Sequence, residues 1–385
     1  MRIVHIAPNA PYNDYWGYQD NLLPKYHSKL GNDVTLITTD LMHKNGSIVK
    51  TDCNDYVLND KVRVIRLARR EYKSRVLTNL RARLDVYNIL CEIKPDCIFF
   101  HGLISTTIYD VIKYKKSNRN CVVFQDNHLD YNNGYGSSTV KEKIIRAFYI
   151  QLNKRSCPYV ERVYGVTPWR KKYAEDYFKI PESKTDVLIM GADDEKINFE
   201  NRSEVRTVIR DKYKIADSDF LVVTGGKIDQ TKNIHLLAEA VAKTGAENLK
   251  LLIFGKPDSN MEPVINKLCE DKHIINIGWV DSGDVYNYFL AADLVVFPGT
   301  HSVLWEQACA CGVPCLFKSW EGMHHVCVNN NSDFLYKDSA EEIAAKIKEL
   351  LNDPQKYGEM KKAAEQCRDK FLYSSIAKKA IGIEK

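Results

Sequence analysis

DFLVVTGGKIDQTKNIHLLAEAVAKTG, residues 219–245, decides the fold. Its first half is a short run of buried-strand residues, closed by Gly225 and Gly226, which let the backbone turn tightly. From Asn233 the apolar residues recur at helical spacing and stop at Gly245. A strand, a loop and a helix of this kind make one half of a parallel crossover unit. The pattern repeats downstream in LKLLIFG, HIINIGWV, DLVVFPG, VPCLFK and DFLYK, with helices expected near 260–271 and 282–291. Upstream, RIVHIAP, DVTLITT, VRVIRL, PDCIFFHG, CVVFQD and RVYGVT read as strands. Helices are expected between them, at DNLLPKYHSKLG (with Pro24 inside it) and at about 75–93, 105–117, 138–156 and 168–178. Two strand/helix alternations therefore meet near residue 190, and the chain after Asp353 reads as helices alone.

The bulk properties set limits. A chain of 385 residues holds two domains comfortably, and 44% apolar with 27% charged residues is the balance of a water-soluble globular protein. No apolar run approaches the roughly 18 residues that span a bilayer, and MRIVHIAPNAP does not read as a secretion signal. A cytoplasmic protein is the expectation. The eleven cysteines are odd in number, and Cys97, Cys121 and Cys315 sit in strand-like apolar runs. They read as reduced core thiols, with no zinc-type spacing. The formal charge of +5 is uneven: residues 1–200 hold 31 Lys+Arg against 24 Asp+Glu, and residues 201–385 hold 24 against 26. The first half prefers an anion, but no nucleic-acid recognition motif accompanies it.

Ligands of open parallel sheets gather beyond the carboxyl ends of the strands. TGGKIDQTKN, FPGTHS and GWVDSG all stand at such ends. Lys227 and Lys232, on the loop opened by Gly226, suit a diphosphate as paired point charges. Thr300, His301, Ser302 and Val303 lead into a short helix whose free N–H groups attract phosphate. Glu306, one turn in, cannot bind phosphate but can accept two hydrogen bonds from a vicinal diol such as a ribose. Together these describe a nucleoside diphosphate.

The segments GGKIDQTKNIHLLAEAV, LLIFGKP, INIGWV, ADLVVFPG and WEQACACGVP resemble the donor half of the retaining GT-B glycosyltransferases, family four, also called glycosyl transferases group 1. RIVHIAP and GNDVTLITT resemble that family's opening strands, and VLIMGADDEKINF its interdomain segment. The resemblance implies two Rossmann-like doubly wound domains facing a cleft: an acceptor-side domain over 1–188 and a nucleotide-sugar donor domain over 189–367. A C-terminal helix at about 368–385 would pack back on the first domain. It implies that Lys227 and Lys232 bind the donor phosphates, that Glu306 holds the ribose, and that Trp279, beside Gly278, flanks the base. It places Trp16 and Gly17 in a loop near acceptor and phosphate. Asp126 or His128, in FQDNHLD, would meet the donor sugar, with His101 a third candidate. The family's first glutamate, eight residues before the second, is absent: that position is Pro298. His301, Thr300 or backbone amides must take over its contact with the sugar.

The implied reaction is transfer of a sugar, with retention, from a nucleoside diphosphate to a saccharide or lipid-linked acceptor. The leaving diphosphate helps to take the acceptor proton. The nucleotide sugar is a co-substrate, and neither cofactor nor metal is expected, because no Asp-x-Asp stands at a strand end. RLARREYKSRVLTNLRARLDVYNIL and KEKIIRAFYIQLNKR interleave basic with apolar residues, as in helices that lie on an anionic membrane's inner face. Two other readings stay open: a nucleotide-sugar epimerase on the same scaffold, and a nucleotide-sugar-binding homologue without turnover.

Overall fold

The central strands of the two large sheets are apolar runs bounded by polar turns, and parallel pairing gathers their carboxyl ends. The computed structural model describes residues 1–134 and 139–383. The chain forms two compact units, Met1–Ile189 with Ile376–Lys385, and Met190–Ser375.

In the first unit the chain runs β1 (Arg2–Ala7), α1 (Gln19–Lys29), β2 (Asp33–Thr39), β3 (Leu41–Lys44), β4 (Ser47–Lys50), β5 (Asp55–Val57), β6 (Arg63–Leu67), α2 (Arg75–Arg81) and α3 (Tyr87–Ile93). It continues through β7 (Cys97–Phe100), α4 (Ile108–Ser117), β8 (Val122–Asn127), α5 (Val140–Ser156), β9 (Arg162–Gly165), α6 (Pro168–Phe178) and β10 (Thr185–Val187). The sheet order is β10-β9-β8-β7-β1-β2-β6-β5. All neighbours are parallel except β5 with β6. The strand order reverses direction between β1 and β7, which are paired through Ile3–Ile6 and Cys97–Phe100.

Two expectations fail here. One helix over 75–93 is in fact two, because polar groups at the start of α4 capture the chain between them. Leu84 N–H donates to Thr107 Oγ1 at 2.8 Å, Val86 N–H to Asp110 Oδ2 at 3.0 Å, and Arg83 to Asp110 Oδ1 at 2.7 Å. The antiparallel β3–β4 pair and strand β5 were not expected at all. The expected helix at 138–156 begins at Val140, and residue 138 lies outside the described residues. Pro24 does not break α1.

The second unit runs α7 (Arg202–Lys212), β11 (Phe220–Gly225), α8 (Ile234–Thr244), β12 (Leu249–Phe254), α9 (Glu262–Leu268), β13 (Ile274–Asn276), α10 (Val285–Ala291) and β14 (Leu294–Phe297). Then come α11 (Leu304–Ala310), β15 (Cys315–Lys318), β16 (Ser332–Leu335), α12 (Ala340–Asn352) and α13 (Pro354–Cys367). The sheet is wholly parallel, in the order β13-β12-β11-β14-β15-β16. Renumbered from its own first strand this is 3-2-1-4-5-6, the order of a dinucleotide-binding sheet, with its switch point between β11 and β14. Its core is continuous from Val222 and Leu237 to Ile347 and Leu350.

The expected helix over 368–385 is a short turn, Arg368–Phe371, followed by α14 (Tyr373–Ala380); residues 384 and 385 lie outside the described residues. The first unit takes in this helix from Ile376 onward. There Ala377 O accepts from His27 Nε2 at 2.8 Å, and Lys379 O from Tyr164 OH at 3.3 Å. All eleven cysteines are free thiols.

Candidate active site

The switch point of the second sheet brings two loops together, one after β11 and one after β14. Gly299 fits because a Cβ there would overlap Thr231 O and the Lys232 backbone. Thr300 N–H then donates to Thr231 O at 3.0 Å. On this contact Lys232 Nζ donates to two carbonyls of the facing loop, Thr300 O at 2.7 Å and His301 O at 3.2 Å. Burial lowers the Lys232 pKa; Asp229 partly offsets this. Lys227 behaves differently. It is exposed, and its Nζ lies 3.0 Å from Asp229 Oδ2. The two lysines share one loop, but Lys232 braces the loop opposite while Lys227 reaches into solvent.

Glu306 is fully buried in the first turn of α11. It accepts from His301 Nε2 at 2.9 Å on Oε1 and 3.1 Å on Oε2, and from His325 Nε2 at 2.8 Å on Oε1. Burial would raise its pKa, but the two imidazoles outweigh burial and bring it to about 2. It is therefore a carboxylate, an acceptor only, and both rings present Nε2–H to it. The sequence reading gives Glu306 directly to a diol. In the structure both its oxygens are engaged by imidazoles, so what it visibly does is hold a proton on His301 Nε2 and orient that ring. Trp305, fully buried and stacked on Phe317 with ring centroids 4.7 Å apart, anchors the helix that carries Glu306.

His325 was missed by sequence reasoning. Its signal was the tandem His324–His325 in SWEGMHHVC, just past β15, at the same edge of the sheet. The ligand atoms of His301, Glu306 and His325 lie within 4.8 Å of one another, so the trio could hold a metal ion. Ligation through Nε2 would move each ring's proton to Nδ1, and His325 Nδ1 is buried with no partner. Metal-bound histidines nearly always donate that second proton. The donor set therefore fits a hydrogen-bonded triad better than an ion.

The remaining predicted donor residues lie along the same edge. Gly226 has φ +106°, and Gly255, at φ +119°, has no room for a Cβ against Gly226 O. Gly255 N–H donates to Gly278 O at 2.6 Å, which fixes the loop bearing Trp279. Trp279 is 74% exposed. Ser302 O accepts from Trp305 N–H, and Val303 O from Gln307 N–H, both at 3.0 Å, at the start of α11. That helix has only seven residues, so its dipole is weak support for anion binding.

In the first unit, Asp126 is fully buried near the end of β8. Its Oδ1 accepts from Gly102 N–H and its Oδ2 from His101 Nδ1, both at 2.8 Å. His128 is 40% exposed, with Nε2 3.3 Å from Asp126 Oδ2. The two candidates are thus neighbours, and only His128 reaches the surface. Trp16 stacks on His43, ring centroids 5.4 Å apart. A Cβ on Gly17 would meet no atom within 4 Å, so packing does not demand glycine there. Gln19, which opens α1 just after this loop, was also missed; both atoms of its side-chain amide are buried without a partner.

Residues 205–367 match the family described as "Glycosyl transferases group 1". Over this stretch the chain is similar to the group 1 glycosyltransferases. An uncharacterized glycosyltransferase of Methanocaldococcus jannaschii, MJ1607, is 23% identical over 256 residues, 63% of each chain. The alignment thus spans less than two thirds of that relative's length. Among solved structures, a glycosyltransferase from Rickettsia africae superimposes with TM-score 0.71 at 16% identity, covering 99% of this chain and 97% of its own. Anabaena Alr3699/HepE, solved in complex with UDP, gives 0.68 at 15% identity, covering 100% and 99%. At such identities the likeness is one of fold, and the fold is GT-B over the whole chain.

Proposed function

We propose that the protein transfers a sugar, with retention, from a nucleoside-diphosphate donor to a saccharide or lipid-linked acceptor in the synthesis of a bacterial surface polysaccharide or glycolipid. The observation that carries the reading is the convergence of Lys232, the 300–302 loop and the Glu306–His301–His325 triad at the switch point of a dinucleotide-type sheet. The ammonium group of Lys232 stands beside the diphosphate, and Lys227, on the same loop, leaves Asp229 to join it. Positive charge there stabilises the leaving group, which is where such a reaction gains most from electrostatics. The solved complexes of Anabaena HepE with UDP and with UDP-glucose are consistent with a nucleotide sugar in this fold.

His301 takes the place of the absent first glutamate. As a neutral ring with its proton held on Nε2 by Glu306, it accepts a hydrogen bond at Nδ1 from a hydroxyl of the donor sugar, and Glu306 acts through it. No divalent ion is required: the charge comes from lysine, and the triad is better made for hydrogen bonds. In the first unit, Trp16, Gly17 and the unpartnered Gln19 amide form the acceptor and phosphate loop. The helices α2 and α5 touch where Tyr149 OH donates to Leu80 O at 2.9 Å. They expose Val76, Leu77, Val140 and Ile144 among basic residues, as a face that rests on an anionic bilayer would.

A thermal-shift screen with UDP, GDP, ADP and their sugars tests the donor site. Incubation with the stabilising nucleotide sugar then tests turnover. Release of free nucleoside diphosphate supports transfer, and a changed sugar with its nucleotide intact would mean an epimerase. Stabilisation by nucleotide with neither product would mean a binding protein.

A further inference from the structure

Four of the ten histidines lie in or beside a single hydrogen-bonded chain in the first unit, where β1 and β7 pair. Ala377 O accepts from His27 Nε2 at 2.8 Å. His27 Nδ1 meets His5 Nε2 at 2.9 Å, and His5 Nδ1 meets His101 Nε2 at 3.0 Å. His101 Nδ1 meets Asp126 Oδ2 at 2.8 Å. His5, His27 and Asp126 are fully buried, and His101 is 7% exposed. The rings also pack on one another, with His5–His27 and His5–His101 centroids 5.0 and 5.3 Å apart, above Phe99.

The ends of this chain fix its proton count. A peptide carbonyl and a carboxylate are both acceptors only. Four hydrogen bonds between them need four hydrogens, and three neutral imidazoles supply three. Starting from Ala377, each ring must donate through Nε2 and accept through Nδ1, until His101 is asked to donate at both nitrogens. Without a fourth hydrogen, one bond is lost and an uncompensated negative charge stays buried, which is costly.

We propose that the chain stores this fourth proton on His101, held as an imidazolium against Asp126, so that His101 is the positioning residue for Asp126 and His128 is the partner open to substrate. The location follows from distance: of the three rings, only His101 touches a carboxylate. Its pKa is raised, because Asp126 and Asp20 outweigh its burial. Those of His5 and His27 are lowered, first by burial. The charged and titratable groups around the pair are Asp20 and His27 from α1, His5 from β1, and His128 just past β8. The four chain members then sum to zero charge. The part given to His128 rests on the proposed transfer reaction, whereas the proton count stands without it.

The test is a long-range ¹H–¹⁵N spectrum of the full-length protein, labelled at histidine, at pH 8. The expected result is His101 as an imidazolium with His5 and His27 neutral and protonated at Nε2. A neutral His101 at that pH overturns the proposal, and so does a carboxylic-acid carbon shift at Asp126. A second arm reads the effect of the far end. In His27→Leu, His5 has no acceptor to serve and can donate to His101 instead, which removes the need for the fourth proton. His101 should then lose its proton at least tenfold more easily. His27→Gln, which can still accept from His5 and donate to Ala377 O, should restore the wild-type titration. Equal titration in Leu and Gln variants would contradict the donor direction. If the Leu variant does not fold, the wild-type spectrum decides alone. Nucleotide-sugar turnover plays no part in these readouts, so failure here is distinct from failure of the transfer reading.

Discussion

Glu306→Gln separates a carboxylate that props a histidine from one that waits for a ligand. In the structure Glu306 Oε1 receives Nε2–H from both His301 and His325, and Oε2 a longer contact from His301. Glutamine keeps one acceptor oxygen but puts an NH₂ against a ring N–H, or else gives up a bond. It also removes the charge from two hydrogen bonds, each of which contributes about 1.5–3 kcal/mol when one partner is ionised and about half that when neither is. Relief of burying a charge offsets part of the loss, so a net cost of about 2 kcal/mol is expected. For a unit of this size that is a fall of roughly 4–8 °C in Tm. Differential scanning calorimetry of the protein without nucleotide measures it. The pH dependence has the same origin. With the folded pKa of Glu306 at about 2 against 4.5 for the free group, its stabilisation is complete above about pH 4.5 and is lost as pH falls toward 2. The variant should lack that acid-side loss. An unchanged Tm without nucleotide, joined to a raised KM alone, would refute the reasoning and return Glu306 to direct contact with the diol.

Gly299→Ala should cost more than about 2 kcal/mol and weaken nucleotide binding, because its Cβ overlaps backbone rather than a mobile side chain; chemical denaturation measures the first and calorimetric titration the second. Stability should peak near neutral pH. Below about pH 6.5 the neutral burial of His27, whose pKa falls to about 4, is progressively lost. Above about pH 6.5 the contribution of His101, whose pKa is raised, fades as pH climbs through its folded value. Urea melts across pH 4–9 should give this dome, and His27→Leu should flatten both of its sides. Replacing Val76, Leu77, Val140 and Ile144 with serine should abolish sedimentation with anionic vesicles at low salt and leave turnover of a soluble acceptor unchanged.

The parallel sheets were legible because each strand is a dense apolar run at a turn, as DLVVFPG is. The β3–β4 pair was not, because LMHK and SIVK lie half in solvent and carry no strong alternation. The break between α2 and α3 was hidden for another reason: side chains of Thr107 and Asp110, more than twenty residues away, make it. Lys232 and Glu306 were visible as residues, but their partners were not. Nothing local in the sequence shows that Lys232 binds the loop it faces, or that Glu306 shares its oxygens between His301 and His325. The imidazole chain was equally hidden, although a histidine inside the buried strand RIVHIA was its signal. A titratable ring in such a place needs a partner on each nitrogen, and its two partners, His27 on α1 and His101 just past β7, are far away in sequence.

Calorimetric titration of nucleoside diphosphates into the wild type and Lys232→Ala tests the central claim most directly. One molecule of a single diphosphate should bind the wild type, and the variant should bind it at least tenfold more weakly while melting as a folded protein, with sugar transfer reduced by orders of magnitude. Equal affinity in the two proteins, or no nucleoside diphosphate bound by the wild type, would contradict the account.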